Sequence, residues 1–103
     1  MKFFPYYYFF KNFANSLRLR IILSLKAKPQ SVSDLVLALD EEQSKISHHL
    51  SILRRCKIVK SERKGKRVIY YLDERILPFL LAATRCVEKC RGECKYAKSC
   101  LYG

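Results

Sequence analysis

The chain of 103 residues has no tryptophan, one methionine, three glycines and three prolines. With so few chain breakers, and half its residues hydrophobic, it is neither a disordered basic tail nor a linker. No apolar run approaches the roughly 20 residues that span a bilayer; the longest lie at residues 3–10 and 76–83. Acidic side chains are scarce, 9 against 21 Lys and Arg, which leaves a formal net charge of +12. No Cys-x-x-Cys pair, Gly-rich cofactor loop or acid–base pair beside a nucleophile is present, which argues against a thiol redox enzyme and against an enzyme of any kind. The length suits one domain, residues 1–103, and excludes a cleft between large domains. The apolar opening holds three tyrosines and runs into Lys11 and Asn12 with no small-residue cleavage site, unlike a secretory signal. A cytoplasmic protein is expected, with no membrane partner.

Such a charge on a compact domain attracts polyanions, and nucleic acid is the partner it favours. Eight of the 13 aromatics fall in the first 13 residues. A segment this apolar needs cover, and a partner subunit suits it better than the chain's own core. Residues 1–15 therefore read as an aromatic dimerisation segment, residues 16–73 as the core, and residues 74–103 as a dimerisation helix with a Cys-bearing tail.

Leu17, Ile21, Ile22 and Leu25 recur at helical spacing, and the helix stops before Pro29. Ser31 and Asp34 form a start signal, a hydroxyl cap with an acid three residues on, for a short helix carrying Leu35, Val36 and Leu39. Asp40-Glu41-Glu42 interrupts the pattern. The next helix has an inward stripe of Ile46, His49, Leu50 and Leu53, and His49 reads as a packing residue. Strands over residues 58–63 and 67–72 flank a turn of Lys64-Gly65-Lys66. A last helix runs from Arg75 to about Cys90, with Pro78 near its first turn and Gly92 as its stop.

A short helix, a sharp turn and a second helix with a polar outer face make a helix-turn-helix. The major groove admits one helix, whose outward side chains must hydrogen-bond base edges and phosphates. Gln43, Ser44, Lys45, Ser47, His48, Ser51, Arg54 and Arg55 supply that face, with the hydroxyls and His48 suited to bases and the cations to phosphates. Arg63, Lys64, Lys66 and Arg67 form a basic hairpin tip able to reach the neighbouring minor groove or lie along phosphates. Each feature alone is ordinary; a solvated helix face and a basic turn are common. Their order on a strongly basic chain is what points to duplex DNA.

Residues 17–23 (Leu-Arg-Leu-Arg-Ile-Ile-Leu), 43–54 (Gln-Ser-Lys-Ile-Ser-His-His-Leu-Ser-Ile-Leu-Arg) and 67–72 (Arg-Val-Ile-Tyr-Tyr-Leu) resemble the ArsR/SmtB, or arsenic-repressor, family over roughly residues 12 to 75. The resemblance implies a mainly α fold with a two-stranded β-hairpin wing, ordered α-α-α-α-β-β-α. It implies a homodimer, joined through its first and last helices, that represses transcription from an inverted repeat and often releases DNA on binding metal. Two departures stand out. Asp40-Glu41-Glu42 occupies the turn where the family usually has Gly and Ser, and Lys57 stands where a Gly often follows the reading helix. The family's Cys-x-Cys pair before the reading helix and its Asp and His ligands on the last helix are both missing.

Cys86, Cys90, Cys94 and Cys100 crowd the C-terminal region instead. A spacing of four puts Cys86 and Cys90 on one helical face. Four thiolates suit zinc or an iron–sulfur cluster, and three suit a trivalent metalloid. Disulfides within or between subunits are the alternative. Cys56, closing the reading helix, reads as a small packing residue. The leading expectation is a sequence-specific DNA-binding repressor responsive to metal, metalloid or redox state. The alternative is a non-specific architectural nucleic-acid-binding protein with the Cys tail as a disulfide or zinc staple.

Overall fold

Two helix starts fall where a side chain can satisfy a first free backbone N–H group. Asn15 caps one helix, its side-chain oxygen accepting from the Arg18 N–H at 3.0 Å. Ser31 caps the next in a closed capping box: its hydroxyl accepts from the Asp34 N–H at 3.2 Å, and the Asp34 carboxylate accepts from the Ser31 N–H at 3.0 Å. The computed structural model describes residues 3–93, in two compact units divided between Asp73 and Glu74. The first unit holds α1 (Phe3–Lys11), α2 (Ser16–Ala27), α3 (Val32–Leu39), α4 (Gln43–Arg55), β1 (Val59–Lys64) and β2 (Arg67–Leu72); the second holds α5 (Ile76–Glu93).

The aromatic run folds as α1, with Pro5 in the first turn where its missing N–H is tolerated. Tyr6, Tyr7, Tyr8 and Phe10 are exposed. The core of the first unit lies where α2 packs on α3, α4 and β2. Ile21, Ile22, Leu25, Leu35, Ile46, Leu50 and Leu53 are buried there, with Ile58 and Val59 leading into the sheet. Burial of this kind stabilises by about 1.5–3 kcal/mol per large aliphatic side chain.

β1 and β2 pair antiparallel from Val59 with Leu72 out to Lys64 with Arg67. The turn is therefore the two residues Gly65-Lys66, not three. Gly65 at φ +64° takes the left-handed first position of a tight hairpin turn, and that lets the ladder close one pair further out. Ile58 lies outside the strand, and its carbonyl accepts from the Asp73 N–H at 2.9 Å. The other edge of β2 is pinned by a single antiparallel bridge, the Gln30 N–H to the Tyr70 carbonyl at 3.0 Å and the Tyr70 N–H to the Gln30 carbonyl at 2.8 Å. Gln30 is buried, and its amide donates to the Ser24 carbonyl and hydroxyl, both at 2.9 Å.

In the second unit, α5 continues through Gly92 to Glu93, past its expected stop. A glycine inside a helix costs about 1 kcal/mol without ending it. Ile76 and Leu80 are buried, whereas Leu77, Leu81 and Val87 are exposed. No helix of the described residues is long and apolar enough to cross a membrane.

Candidate nucleic-acid interface

The sequence of α4 divides cleanly between two environments. Ile46 and Leu53 are fully buried and Leu50 is 1% exposed, so this stripe fixes the helix to the body. Gln43, Ser44, Lys45, Ser47, His48, Ser51, Arg54 and Arg55 are all exposed on the remaining surface. The last turn is basic through Arg54 and Arg55, which suits the negative end of the helix dipole.

The helices on either side of the turn, α3 and α4, both end on left-handed backbone at residues that are not glycine. Before α4, Asp40 at φ 51° ends α3 and sends its N–H to the Val36 carbonyl. Glu41 in the turn lies 3.6 Å from the Lys45 ammonium and 3.8 Å from the Arg20 guanidinium. Arg20 also donates to the last carbonyl of α3, Leu39, at 2.6 Å. The acidic turn thus makes internal contacts that join α2, α3 and α4. After α4, the Lys57 N–H bonds the Arg54 carbonyl at 3.1 Å and the Ile58 N–H bonds the Leu53 carbonyl at 3.0 Å. This is a Schellman stop, with Lys57 at φ 65° in the position glycine usually holds.

His49 departs in part from its expected packing role. It is half-buried, and its Nδ1 is out of solvent with no hydrogen-bond partner among the described residues. Burial first, then the charges of Arg18 and His48, hold its pKa below the ordinary histidine value. His48 stacks edge-on against it, with ring centroids 5.2 Å apart, and points outward. Beneath lies a polar chain: Arg18 donates to the Asn12 side-chain oxygen at 2.9 Å, and Asn12 donates to the Cys56 Sγ at 3.3 Å. Cys56 is an exposed free thiol, not the packed residue its small size suggests, because the helix ends at the surface there.

On the wing, Arg63, Lys64 and Lys66 are exposed around the turn, with Arg63 Nε donating to the Gly65 carbonyl at 3.3 Å. Arg67 is exposed too, but its guanidinium is engaged at 2.9 Å with both Ser31 Oγ and Asp34 Oδ2. A cleft of about 460 Å³ opens between Ser47, Ser51, Arg54, Arg55 and Tyr70, joining the face of α4 to β2. Sequence reasoning missed Tyr70 as a site residue. The signal was its place in an alternating strand, which puts Val68, Tyr70 and Leu72 on one face.

Cys86 and Cys90 are exposed on α5, one turn apart, and Cys86 is a free thiol. Cys94 and Cys100 lie outside the described residues. Among the described residues no three His, Cys, Asp or Glu side chains gather as metal ligands.

A three-helix core whose last helix shows a polar face, followed by a basic hairpin, defines a winged helix-turn-helix. Residues 15–61 match the family model described as bacterial regulatory protein, arsR family. The regulator Rv0081 of Mycobacterium tuberculosis is 35% identical over 78 residues, covering 75% of this chain and 68% of that protein. The chain belongs to the arsR family. The arsenical resistance operon repressor of Escherichia coli is 41% identical over 68 residues, 65% of this chain and 58% of that one. The regulator NmtR of M. tuberculosis is 40% identical over 55 residues, 53% of this chain and 46% of that one. The chain spans about half the length of several curated relatives it matches. Among solved structures, Rv0081 superposes with a TM-score of 0.73 at 32% identity over 82% of this chain and 86% of its own. HlyU from Vibrio cholerae gives 0.69 at 30% over 76% and 86%.

Proposed function

We propose that the protein is a sequence-specific DNA-binding transcriptional repressor, a cytoplasmic regulator and not an enzyme. The observation that carries this reading is α4, whose hydroxyls, imidazole and cations stand exposed above a fully buried aliphatic stripe. Ser44, Ser47, His48 and Ser51 read base edges, with Gln43 beside them; Lys45, Arg54 and Arg55 neutralise phosphates, as do Arg63, Lys64 and Lys66 on the wing. Family membership supports the reading, and the E. coli relative is by name a repressor. Tyr70 extends the reading surface through the cleft it shares with Ser47 and Ser51.

The protein acts as a homodimer on an inverted repeat, so that two α4 helices meet successive major grooves about 34 Å apart. The exposed rings of α1 and the exposed aliphatics of α5 support this use of the two segments. Cys86, Cys90, Cys94 and Cys100 form the sensor. Their thiolates suit zinc, an iron–sulfur cluster or a trivalent metalloid, and the name of the E. coli relative ties that protein to arsenicals.

The test is fluorescence anisotropy against a duplex selected by this chain from a randomised pool and against a scrambled duplex. The selected site binds at least about a thousandfold tighter at moderate salt. Ser47→Ala with His48→Ala removes about 1–3 kcal/mol of that discrimination per lost base contact. Equal affinity for both duplexes at every salt concentration favours the architectural alternative. Metal analysis and thiol titration of protein purified without reductant separate a metal-binding tail from disulfides.

A further inference from the structure

We propose that Arg67 is a positioning residue and not a phosphate ligand: it clamps the second wing strand to the cap of α3 and so sets where the wing tip stands beside the reading helix. The inference rests on the DNA-binding reading above. One guanidinium nitrogen, Nη2, bridges Ser31 Oγ and Asp34 Oδ2 at 2.9 Å each. Those two atoms belong to the capping box that starts α3, so the clamp fastens β2 to a rigid element instead of a loop. The bridge between Gln30 and Tyr70 holds the same strand three residues further along. Together they tie the wing to residues 30–34 at two points.

Charge makes the same distinction. The Asp34 carboxyl is held below its ordinary range by the Ser31 N–H first and then the Ser31 hydroxyl; desolvation opposes them, and the Arg67 charge and hydrogen bond add smaller lowering effects. It therefore stays ionised beside Arg67. A phosphate approaching that guanidinium meets a carboxylate already seated there. Among the described residues no carboxylate pairs with Arg63, Lys64 or Lys66, and these three carry the attraction of the tip.

Anisotropy titrations of the full chain on its selected duplex, over a series of salt concentrations, test the assignment with Arg67→Ala, Arg67→Lys, Asp34→Asn and Lys66→Ala. Lys66→Ala lowers the log–log salt slope by about 0.9, the value for one phosphate contact. Arg67→Ala and Asp34→Asn each weaken binding about two- to fivefold, with the slope unchanged. The double variant is no weaker than either single one, as expected when both break one interaction. Arg67→Lys keeps the charge but not the two-acceptor geometry, and it behaves as Arg67→Ala. Without DNA, amides 64–67 exchange faster in Asp34→Asn than in the parent. A slope reduced by about 0.9 in Arg67→Ala, with Asp34→Asn binding tighter, overturns the proposal; so does an Asp34→Asn variant equal to the parent in affinity and in wing exchange. A parent chain that binds no duplex refutes the regulator reading and leaves the exchange measurement to decide the clamp.

Discussion

Replacing Lys57 by glycine should stabilise the protein. Lys57 sits at φ 65° as the left-handed residue of the Schellman stop that ends α4. An L-residue there costs roughly 1–2 kcal/mol because its Cβ crowds the neighbouring carbonyl. Glycine removes that strain but enlarges the entropy of the unfolded chain, by about 0.4–1 kcal/mol. The difference leaves a gain of about 0.5–1 kcal/mol. The Lys57 side chain is exposed, so little packing is lost with it. The stop itself is retained, since Leu53 and Ile58, which its two hydrogen bonds bring together, are both fully buried. For a chain of this size the gain raises Tm by about 2–8 °C. Thermal melts followed by far-UV circular dichroism read it, with Lys57→Ala as the control that removes the side chain and keeps the strain. A glycine variant melting at or below the parent, indistinguishable from the alanine variant, refutes the reasoning.

Two further outcomes follow from buried polar groups. Because the folded pKa of His49 is depressed, the unfolded chain takes up this proton first as pH falls below about 6.5. Stability is lost from there down to the folded pKa, and denaturant titrations of His49→Gln should show a flatter pH profile across that window. Gln30→Ala should cost about 1–3 kcal/mol, since it leaves the Ser24 carbonyl and hydroxyl without the Gln30 amide donor; urea midpoints measure it, and a change below about 0.3 kcal/mol would contradict the buried role.

The local signals of the fold were legible in the sequence. Ser31 and Asp34 announced their helix because a capping box is a four-residue chemistry, and the apolar spacing of Ile46, Leu50 and Leu53 oriented α4 without help. The exposed face of α4 followed by subtraction. What stayed hidden depended on distant partners or on backbone angles. Nothing near Arg67 in sequence marks Asp34 as its partner, so it read as one more cation on the tip. Lys57 does not advertise a left-handed residue, although the resemblance flagged its position. The burial of His49 Nδ1 depends on how α2 crosses α4, which helical periodicity does not fix.

Among the described residues the wing is a ribbon of two strands, and no third strand pairs with the outer edge of β1. Open ladders invite strands from other molecules, and proteins commonly discourage this with charge along the rim. Lys60, Glu62, Arg63 and Lys64 place such charge along β1. Arg63 and Lys64, proposed to meet DNA, thus also stand where charge discourages edge pairing between molecules. A variant neutralised at this rim should be checked by light scattering before its weaker binding is blamed on lost phosphate contacts, because self-association would look the same in a titration.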